Sequence, residues 1–589
     1  MSTADPLIRI ENLSFRYPGA TEDTLRNVNL EIERGDFVAV MGGNGAAKTT
    51  LCKTFNGLIP HYWSGDFAGR VEVDGVDTWE SSVAALSQRV GYVYQDFQNQ
   101  LVRPTVRDEI AFAPINFGLP DHEERVDAAL ELLGITALAD RFVWQLSGGQ
   151  AHRTALASVL AMEPQLIVVD EPAAELDPIG AEEVYRALER VNREHGVTVV
   201  TIEHHAEFVA RYARSVVLMA HGAPVWHLPV REAMRRADDL AAGGIPVPQI
   251  VEAAQLLGIG ETPCTVAEAV DAIGPLRSRA VPPDAAAAPA ALPAPTTARA
   301  EATEPVARIR DLNHSIIDVT GFERPILRGI DLDLHAGERI ALVGGNGAGK
   351  TTLLRMLAGI VVARSGDVTI GATSTRKHSA RAFAEQVAYL AQHPELMFLT
   401  GSVRDDVALH PRSRRVPDAA ERVEEVLERV RLLPFAERDG RTLSGGQQRR
   451  ATLAIGLAMR PRILLLDEPT SSLDAASRAS VYGMLDELAH TIECTVVATH
   501  DMQLVAEWAT RVIVLEQGTV LADTSARELF GDAQLLERAR LAPPQISRLG
   551  LALSVDPLPL DADELVSAVR ADRLRAASAQ APATKEVAR

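Results

Sequence analysis

The sequence predicts two α/β domains in tandem, and three observations support this fold class. A glycine-rich stretch occurs twice, as VMGGNGAAKTTL at residues 40–51 and LVGGNGAGKTTL at residues 342–353. An apolar, strand-like run enters each stretch, and a helix-forming run leaves it. Further motifs follow each stretch in the same order and at nearly the same spacing. The chain is therefore expected to contain two copies of one α/β unit.

Length and composition indicate a soluble protein of several domains. The 589 residues exceed what one core holds, and 47% hydrophobic with 23% charged residues is typical of globular proteins. No apolar run approaches the roughly 18 residues of a membrane helix, and the N-terminus lacks a signal-peptide pattern, which predicts a cytoplasmic protein. A net charge of -20 disfavours nucleic acid as a partner. Cys52, Cys264 and Cys494 lack metal-site spacing and are expected to be buried small hydrophobes.

Both glycine-rich stretches carry, or nearly carry, the G-x-x-x-x-G-K-[ST] pattern of a phosphate-binding loop. In such a loop, backbone N–H groups surround phosphate oxygens, the lysine reaches the β and γ oxygens, and the following hydroxyl binds Mg²⁺. The expected nucleotide contacts are Gly42, Asn44, Gly45, Ala47, Lys48, Thr49 and Thr50 in the first half, and Gly344, Asn346, Gly347, Gly349, Lys350, Thr351 and Thr352 in the second. Thr49 and Thr351 are the expected hydroxyl ligands of Mg²⁺.

An acidic pair follows a buried-strand pattern in each half. Asp170 and Asp467 end runs of apolar residues, which places a carboxylate beside each phosphate loop. These aspartates are expected to bind Mg²⁺. The adjacent Glu171 and Glu468 are expected to orient or deprotonate the attacking water, because phosphoryl transfer depends on positioning and charge stabilisation.

Two histidines end Val-rich strand patterns at matching positions. His204 and His500 are expected to contact the γ-phosphate, since a strand-end histidine with a purely structural role would not need to recur in both halves. His152 and His205 have no histidine counterpart in the other half and are expected to be surface residues.

The pattern LSGGQ occurs at residues 146–150 and 443–447 and is expected to begin a helix. The N–H groups at a helix N-terminus form an anion site. The expected phosphate contacts here are Ser147, Gly148, Gly149 and Gln150 in the first half, and Ser444, Gly445, Gly446 and Gln447 in the second.

Together with a loop glutamine in each half, Gln95 and Gln392, this series resembles the nucleotide-binding domain of ATP-binding cassette (ABC) proteins. The resemblance covers most of both halves and implies two P-loop NTPase domains, each with a helical subdomain. It implies ATP and Mg²⁺ as cofactors and ATP hydrolysis as the activity. It also implies that Gln95 and Gln392 act in catalysis and as Mg²⁺ ligands.

The resemblance further implies that the two halves of one chain pair with each other. In that family, LSGGQ of one half faces the phosphate loop of the other, and hydrolysis needs both. One composite site would combine Lys48, Thr49, Gln95, Asp170, Glu171 and His204 with residues 444–447. The other would combine Lys350, Thr351, Gln392, Asp467, Glu468 and His500 with residues 147–150.

Each half continues past its nucleotide-binding motifs. A Pro-Gln-Ile tripeptide is followed 19 residues after its Gln by a glutamate in a helical pattern, Glu268 or Glu564. The expected segments are a first nucleotide-binding domain (1–240), its C-terminal appendage (241–276), an Ala/Pro-rich linker (277–305), a second nucleotide-binding domain (306–535), its appendage (536–576) and a disordered tail (577–589).

The halves differ at two positions near the nucleotide. Tyr17, an aromatic side chain suited to stacking on adenine, aligns with Ile316. Ala47 replaces the glycine that precedes the loop lysine, which is Gly349 in the second half. Ala47 is expected to be harmless if its φ is negative and to crowd or restrict the loop otherwise.

The region after Gln95 resembles the ATPases of energy-coupling factor (ECF) importers of vitamins or transition-metal ions. Residues 100, 101 and 104–106 match that family's pattern, whereas Phe97 and Gln98 depart from it. The appended C-terminal regions are also similar. In the second half, Met397 stands where the family has glutamine.

This closer resemblance implies a membrane complex with an integral scaffold subunit and a substrate-binding membrane subunit. The chain would then lie on the cytoplasmic face of the membrane as a peripheral protein. By analogy, Asp108, Glu109, Asp405 and Asp406 are expected either to form acidic ends of the grooves that receive the scaffold helices, or to be ordinary helix N-terminal carboxylates.

Two alternatives remain open from the sequence. One is a tandem sugar-importer ATPase, which has the same architecture and differs in the coupling region. The other is a tandem ABC protein that acts on ribosomes. That class would be expected to carry a long charged linker helix, which the Ala/Pro-rich linker does not resemble.

Overall fold

The computed structural model describes residues 5–173, 176–277, 304–317, 321, 323–471, 473–489 and 491–580. The chain divides into two compact units between Ala269 and Val270. None of the described helices has both the length and the apolar character needed to cross a membrane. The predicted linker lies outside the described residues except at its two ends.

The described part of the first unit contains one antiparallel and one mainly parallel sheet. Its strands are β1 (Ile8–Arg16), β2 (Leu25–Ile32), β3 (Phe37–Met41), β4 (Asp66–Val73), β5 (Val76–Asp77), β6 (Val90–Val93), β7 (Leu166–Asp170), β8 (Thr198–Ile202), β9 (Ser215–Ala220) and β10 (Ala223–Pro229). The antiparallel sheet has the order β2-β1-β4-β5, and the larger sheet has the order β10-β9-β3-β8-β7-β6. Only β10 runs antiparallel in the larger sheet. Its central strands β3, β7 and β8 are buried on both faces, which explains their unbroken apolar sequences.

Helices connect and cover these strands. They are α1 (Lys48–Cys52), α2 (Leu58–His61), α3 (Val83–Leu86), α4 (Val106–Asn116), α5 (His122–Leu132), α6 (Gly148–Leu160), α7 (Pro178–His195), α8 (Ala206–Tyr212), α9 (Val230–Arg235), α10 (Ala237–Ala242), α11 (Gln249–Leu256) and α12 (Val266–Arg277). Helices α4, α5 and α6 pack on one another between β6 and β7 and form the helical subdomain. One face of α5 is apolar and faces inward, with Val126, Ala129 and Leu130 buried.

The second unit repeats this order. Its strands are β11 (Ala307–Ile317), β12 (Glu323–Leu334), β13 (Arg339–Val343), β14 (Ser365–Ile370), β15 (Thr373–Ser374), β16 (Val387–Leu390), β17 (Ile463–Asp467), β18 (Cys494–Ala498), β19 (Arg511–Glu516) and β20 (Thr519–Thr524). The described strands form an antiparallel sheet, β12-β11-β14-β15, and a mainly parallel sheet, β16-β17-β18-β13-β19-β20.

The helices of the second unit correspond to those of the first. They are α13 (Lys350–Leu357), α14 (Ala380–Phe383), α15 (Val403–Ser413), α16 (Ala419–Arg429), α17 (Gly445–Leu457), α18 (Ala475–Leu488), α19 (Met502–Trp508), α20 (Ala526–Gly531), α21 (Ala533–Ala539), α22 (Gln545–Ala552) and α23 (Ala562–Gln580). Helix α23 extends over residues 577–580 of the predicted tail, and residues 581–589 lie outside the described part. The fold class predicted from the repeated motifs is confirmed.

The topology gathers the polar motifs at one edge of each parallel sheet. In the first unit, β3 leads into the phosphate loop, β7 ends at Asp170, and β8 ends two residues before His204. Because these strands are parallel neighbours, their carboxyl ends meet at the same edge. The second unit repeats the arrangement with β13, β17 and β18. The three cysteines are free and buried, as expected.

Candidate functional site

Each phosphate loop is closed around its own lysine. The Lys48 ammonium donates hydrogen bonds to the carbonyl oxygens of Gly42 (2.7 Å) and Gly43 (3.1 Å). Lys350 makes the same bonds in the second half, at 2.7 and 3.4 Å. Both lysines are buried although they are cationic. The loop backbone therefore holds the ammonium group in place, an arrangement suited to binding phosphate oxygens.

Each phosphate loop begins with glycine because its first residue packs directly against the backbone of a neighbouring strand. Gly42 has φ 149°, and a Cβ there would lie 2.3 Å from the carbonyl oxygen of Met219. A Cβ on Gly344 would lie 2.2 Å from the carbonyl oxygen of Leu515. No side chain fits at either position, so the loop backbone lies directly against the sheet.

Ala47 adopts the left-handed conformation, with φ 72°. The condition under which it was expected to be harmless, a negative φ, is therefore not met. Its glycine counterpart, Gly349, has φ 104°, and a Cβ there would lie 2.7 Å from Leu327 Cδ2 and 3.1 Å from the Ile326 carbonyl oxygen. The first loop thus accommodates a methyl group at a position where the second loop is crowded by Leu327 and Ile326.

The strand-end aspartates lie beside the loop hydroxyls. Thr351 Oγ1 donates to Asp467 Oδ1 at 3.1 Å, and the Tyr389 hydroxyl donates to Asp467 Oδ2 at 3.1 Å. Burial raises the pKa of Asp467 above its ordinary value. In the first half, burial and the neighbouring Glu171 raise the pKa of Asp170 to about 6.

These residues fit Mg²⁺. Each pair brings a threonine hydroxyl and a carboxylate oxygen together, and oxygen atoms are the ligands that Mg²⁺ prefers. Both carboxylates are buried with their negative charge poorly solvated, a condition that a bound cation would relieve.

Each strand-end glutamate contacts the expected histidine. His204 Nε2 lies 3.1 Å from Glu171 Oε1, and the Gln95 amide donates to Glu171 Oε2 at 2.7 Å. In the second half, His500 uses its other ring nitrogen, with Nδ1 2.9 Å from Glu468 Oε2. The interaction raises the pKa of His500. Burial alone would raise the pKa of Glu468, but His500 and Lys350 lower it.

Both glutamates have left-handed backbones, with φ 53° at Glu171 and 48° at Glu468. This conformation costs a non-glycine residue roughly 1 kcal/mol or more. In both halves, the residue after the strand carboxylate is therefore held in a strained turn that directs it to its histidine.

The LSGGQ motifs start helices, as predicted. Ser147 precedes α6, and its hydroxyl accepts a hydrogen bond from the Gln150 N–H at 3.4 Å. The Gln150 side chain in turn accepts from the Ser147 N–H at 3.1 Å. Gln447 does the same for Ser444 at the start of α17. The glycine pairs Gly148–Gly149 and Gly445–Gly446 form the first helical turns.

The two positions aligned as candidates for adenine stacking, Tyr17 and Ile316, have different surroundings. The Tyr17 ring packs edge-on against Phe15, with centroids 4.8 Å apart, and its hydroxyl lies 3.3 Å from Thr50 Oγ1. Its counterpart, Ile316, is a 47% exposed aliphatic side chain.

The expectation that His152 is a surface residue is wrong. His152 is 1% exposed and stacks on Phe97, with centroids 4.5 Å apart and planes 7° apart. Burial lowers its pKa to about 3. His205 is partly exposed and contacts the buried carboxylate of Glu203 at 3.1 Å.

The expectation of acidic groove ends is wrong for two of the four residues. Glu109 is buried and accepts hydrogen bonds from the N–H groups of Val102 and Arg103. Asp406 is buried in the same role, accepting from Leu399 and Thr400. These carboxylates hold the turns before α4 and α15 and are not available to a partner.

The remaining two, Asp108 and Asp405, lie in the first turns of α4 and α15. The side chains of Thr105 and Ser402 cap these helices by accepting hydrogen bonds from the Asp108 and Asp405 N–H groups. Asp405 also pairs with Arg412 at 2.7 Å. Their positions match the helix N-terminal alternative.

Several residues of this site had not been predicted. Tyr92 and Tyr389 donate to the strand-end aspartates, and Tyr185 and Tyr482 donate to carboxylates beside the two histidines, Glu203 and Asp501. Each pair of tyrosines occupies matching positions in the two halves. Extending the comparison of the halves to every polar residue would have found them.

The appendage glutamates form matching ion pairs. Arg231 binds Glu268 through two nitrogens, and Arg527 binds Glu564 in the same way. Each glutamate also accepts a backbone N–H, from Cys264 or Leu560. The repeated glutamates therefore attach the last helix of each half to α9 or α20.

Comparison with known proteins agrees with this architecture. A family model described as ABC transporter matches residues 25–174 and 327–471. A putative ABC transporter ATP-binding protein of Streptomyces coelicolor is 37% identical over 549 residues, which cover 89% of this chain and 94% of the relative. A protein of the same description from Methanosarcina mazei is 32% identical over 556 residues, covering 93% of this chain and 94% of the relative.

Among solved structures, cbiO1 from Clostridium perfringens, described as part of the ABC transporter complex cbiONQ, is 33% identical with a TM-score of 0.36. The match covers 40% of this chain and 95% of that chain. The family model matches both halves, and the relatives align over most of their lengths. The chain therefore belongs to the ABC transporter family, as a tandem ATP-binding protein that binds ATP with Mg²⁺ and hydrolyses it.

Proposed function

We propose that this chain is the energy-coupling subunit of an ECF-type importer, in which its ATP hydrolysis drives a separate membrane complex. Family membership supplies the ATPase activity. The importer assignment rests on the residues around the two glutamine loops, defined as residues 94–101 and 391–398, and on the surface next to them.

The observation that carries the proposal is exposed apolar surface beside each glutamine loop. In the first half these side chains are Val102, Phe112, Ile115, Phe142 and Trp144, and in the second half they are Leu396, Leu399, Leu409 and Leu433. Phe142 and Trp144 stack on each other with centroids 4.6 Å apart while remaining exposed. Apolar surface of this kind is typical of a protein interface, and helices of a membrane subunit would cover it.

The ECF-like residue Gln100 supports the same assignment. Its side chain accepts from the Tyr94 N–H at 2.9 Å and donates to the Tyr92 carbonyl at 3.0 Å. Gln100 thereby closes the first glutamine loop into a compact turn. A compact loop transmits displacement to Gln95, and Gln95 contacts Glu171 directly.

For the chemistry, we assign the phosphate groups to the two loops and the attacking water to Glu171 and Glu468. The histidines hold these carboxylates in place, and His500 lowers the pKa of Glu468, which favours the ionised carboxylate that can accept a proton from water. Mg²⁺, when bound, neutralises charge on the phosphate oxygens. Closure of the two halves on ATP and reopening after hydrolysis would move the membrane helices at the glutamine loops.

Copurification tests the importer assignment. The full-length chain, purified from membranes under mild detergent, is expected to carry small integral membrane proteins identifiable by mass spectrometry. The double variant Phe112→Asp/Ile115→Asp should lose these proteins and leave the membrane fraction, because a carboxylate is poorly tolerated in an apolar interface. Val225→Asp, on the exposed edge of β10, is the matched control and should retain them.

Two results would contradict the assignment. One is the recovery of ribosomal components in place of membrane proteins. The other is equal loss of membrane proteins in the Val225→Asp control. Basal ATP hydrolysis by the purified chain should be similar in all variants, which separates a lost partner from a lost fold.

A further inference from the structure

A buried arginine joins the second glutamine loop to Glu468, the residue after β17. Arg449 lies on α17, two residues after the LSGGQ motif, and is 3% exposed. Its guanidinium donates to the carbonyl oxygens of Ala391 (3.0 Å), Gln392 (2.9 Å) and Glu468 (3.1 Å). One side chain therefore connects three segments that are far apart in the sequence.

The chemistry of this contact makes it rigid. Burial lowers the pKa of Arg449 to about 10, so the group stays protonated at neutral pH. A buried cation is stabilised by hydrogen-bond acceptors in place of water. The three carbonyl oxygens have likewise replaced hydrogen bonds to water with hydrogen bonds to the guanidinium. Displacing either loop alone would leave charged donors and buried acceptors unpaired.

The described residues of the first half make no such connection. His152 occupies the position of Arg449, and neither of its ring nitrogens has a hydrogen-bond partner among the described residues. In that half a side-chain hydrogen bond joins the glutamine loop to the strand-end glutamate instead, from Gln95 to Glu171 at 2.7 Å. The described residues include no corresponding bond between the side chains of Gln392 and Glu468.

We propose that Arg449 is a positioning residue for hydrolysis at the second half's phosphate loop. It holds the backbones of Gln392 and Glu468 as one unit, so that the glutamate follows movement of the glutamine loop. The first half achieves the same coupling with the Gln95 side chain. This inference rests on the proposed role of Glu468 and does not depend on the identity of the membrane partner.

Site-resolved nucleotide trapping tests the proposal. The full-length chain, with a protease site inserted within residues 281–300, is incubated with Mg²⁺, vanadate and radioactive 8-azido-ATP, irradiated and cleaved, so that label in each half is counted separately. Arg449→Gln is expected to reduce vanadate-dependent label in the second half about tenfold, the kinetic equivalent of one lost charge-assisted hydrogen bond. Label without vanadate, which reports binding alone, should stay within about twofold in both halves.

Two further variants are measured beside Arg449→Gln. Arg449→Lys keeps the charge and some donors, so trapping should recover in part, and this variant carries the test if Arg449→Gln does not fold. Arg450→Gln, the same change one residue along α17, removes contacts only with Val430 and Arg431 and should leave trapping unchanged.

Three results would overturn the proposal: unchanged trapping in both Arg449 variants, equal loss in both halves, or loss of binding in parallel with trapping. Glu468→Gln is included as a separate arm. If it leaves trapping in the second half intact, the assignment of Glu468 fails independently of Arg449.

Discussion

An imidazole that is buried without a hydrogen-bond partner has to remain neutral for the protein to stay folded. His152 is in this situation: it lies on α6, is buried, and stacks on the aromatic ring of Phe97. Its neutral form packs like an aromatic side chain, whereas its protonated form would place an unpaired cation in the core. The pKa of His152, lowered by burial to about 3, reflects the cost of placing this charge in the core.

The stability of the first half should therefore fall at acid pH. In the unfolded chain, His152 binds a proton near its ordinary pKa of 6.5, whereas the folded chain keeps it neutral until about 3. Since the unfolded state binds more protons in this window, folding loses about 2 kcal/mol between pH 7 and pH 5 through this residue. Urea unfolding followed by tryptophan fluorescence reports mainly on the first half, because only Trp508 belongs to the second.

His152→Gln should remove that part of the pH dependence. The free energy of unfolding of this variant should decrease less between pH 7 and pH 5 than that of the wild-type chain. His195→Gln, at the exposed end of α7, is the control and should keep the wild-type slope. Equal slopes in all three proteins would show that His152 does not titrate as its burial requires.

The two phosphate loops have the same overall structure but differ at one residue position. Both have the same glycine-dependent entry and the same enclosed lysine. They differ at the residue before the lysine, where the left-handed backbone of the first loop carries a methyl group. At the same position in the second loop, a methyl group would crowd Leu327 and Ile326.

Reciprocal substitutions should therefore have opposite effects. Ala47→Gly is expected to stabilise the first half by about 0.5–1 kcal/mol, because glycine adopts a positive φ without strain. Gly349→Ala is expected to destabilise the second half by about 2 kcal/mol and to weaken ATP binding there, because the new Cβ adds overlap to the strain. Thermal unfolding with and without Mg-ATP measures both effects. Destabilisation by Ala47→Gly would mean that packing of the methyl group outweighs its backbone strain.

At the scale of the whole molecule, the chain divides into two compact units, each with its own two sheets and helical subdomain. The phosphate loop, strand carboxylates and histidine of each half are brought together within that half. The LSGGQ helix of each half is capped by its own residues, with the glutamine side chain accepting from the serine N–H. The proposed composite sites would then form by docking of preformed surfaces, and the tether would raise the effective concentration of one half near the other.

Double mutants distinguish which LSGGQ helix serves which site. Ser444→Arg is expected to reduce steady-state ATP hydrolysis by obstructing the site that contains Glu171. Added to Glu171→Gln, it should cause little further loss, whereas added to Glu468→Gln it should abolish the remaining activity. Ser147→Arg is the mirror control and should show the reverse pattern. If Ser444→Arg instead caused little further loss when added to Glu468→Gln, each LSGGQ motif would be assigned to the site of its own half.

Most of the site was predictable because its motifs are local. The strand, phosphate loop and helix of each half lie within about twenty consecutive residues, and the apolar runs before Asp170 and Asp467 end where their strands end. The LSGGQ helix starts follow from serine capping. The repeat supplied an internal control. Because His204 and His500 recur at matching positions, the evidence that they are functional is stronger than it would be for a single strand-end histidine.

What the sequence by itself determined is the pair of α/β units, the order of their motifs and the residues that line each phosphate loop, because these depend on neighbours along the chain. Only the tertiary structure decided that His152, Glu109 and Asp406 are buried, that Ala47 is left-handed and that Arg449 joins two loops. Each of these facts depends on segments that meet only after folding, and on the space and hydrogen-bond acceptors those segments leave. Gln95 and Gln392 therefore differ although they match in type and position: the Gln95 side chain binds Glu171, whereas Arg449 holds the backbone of Gln392.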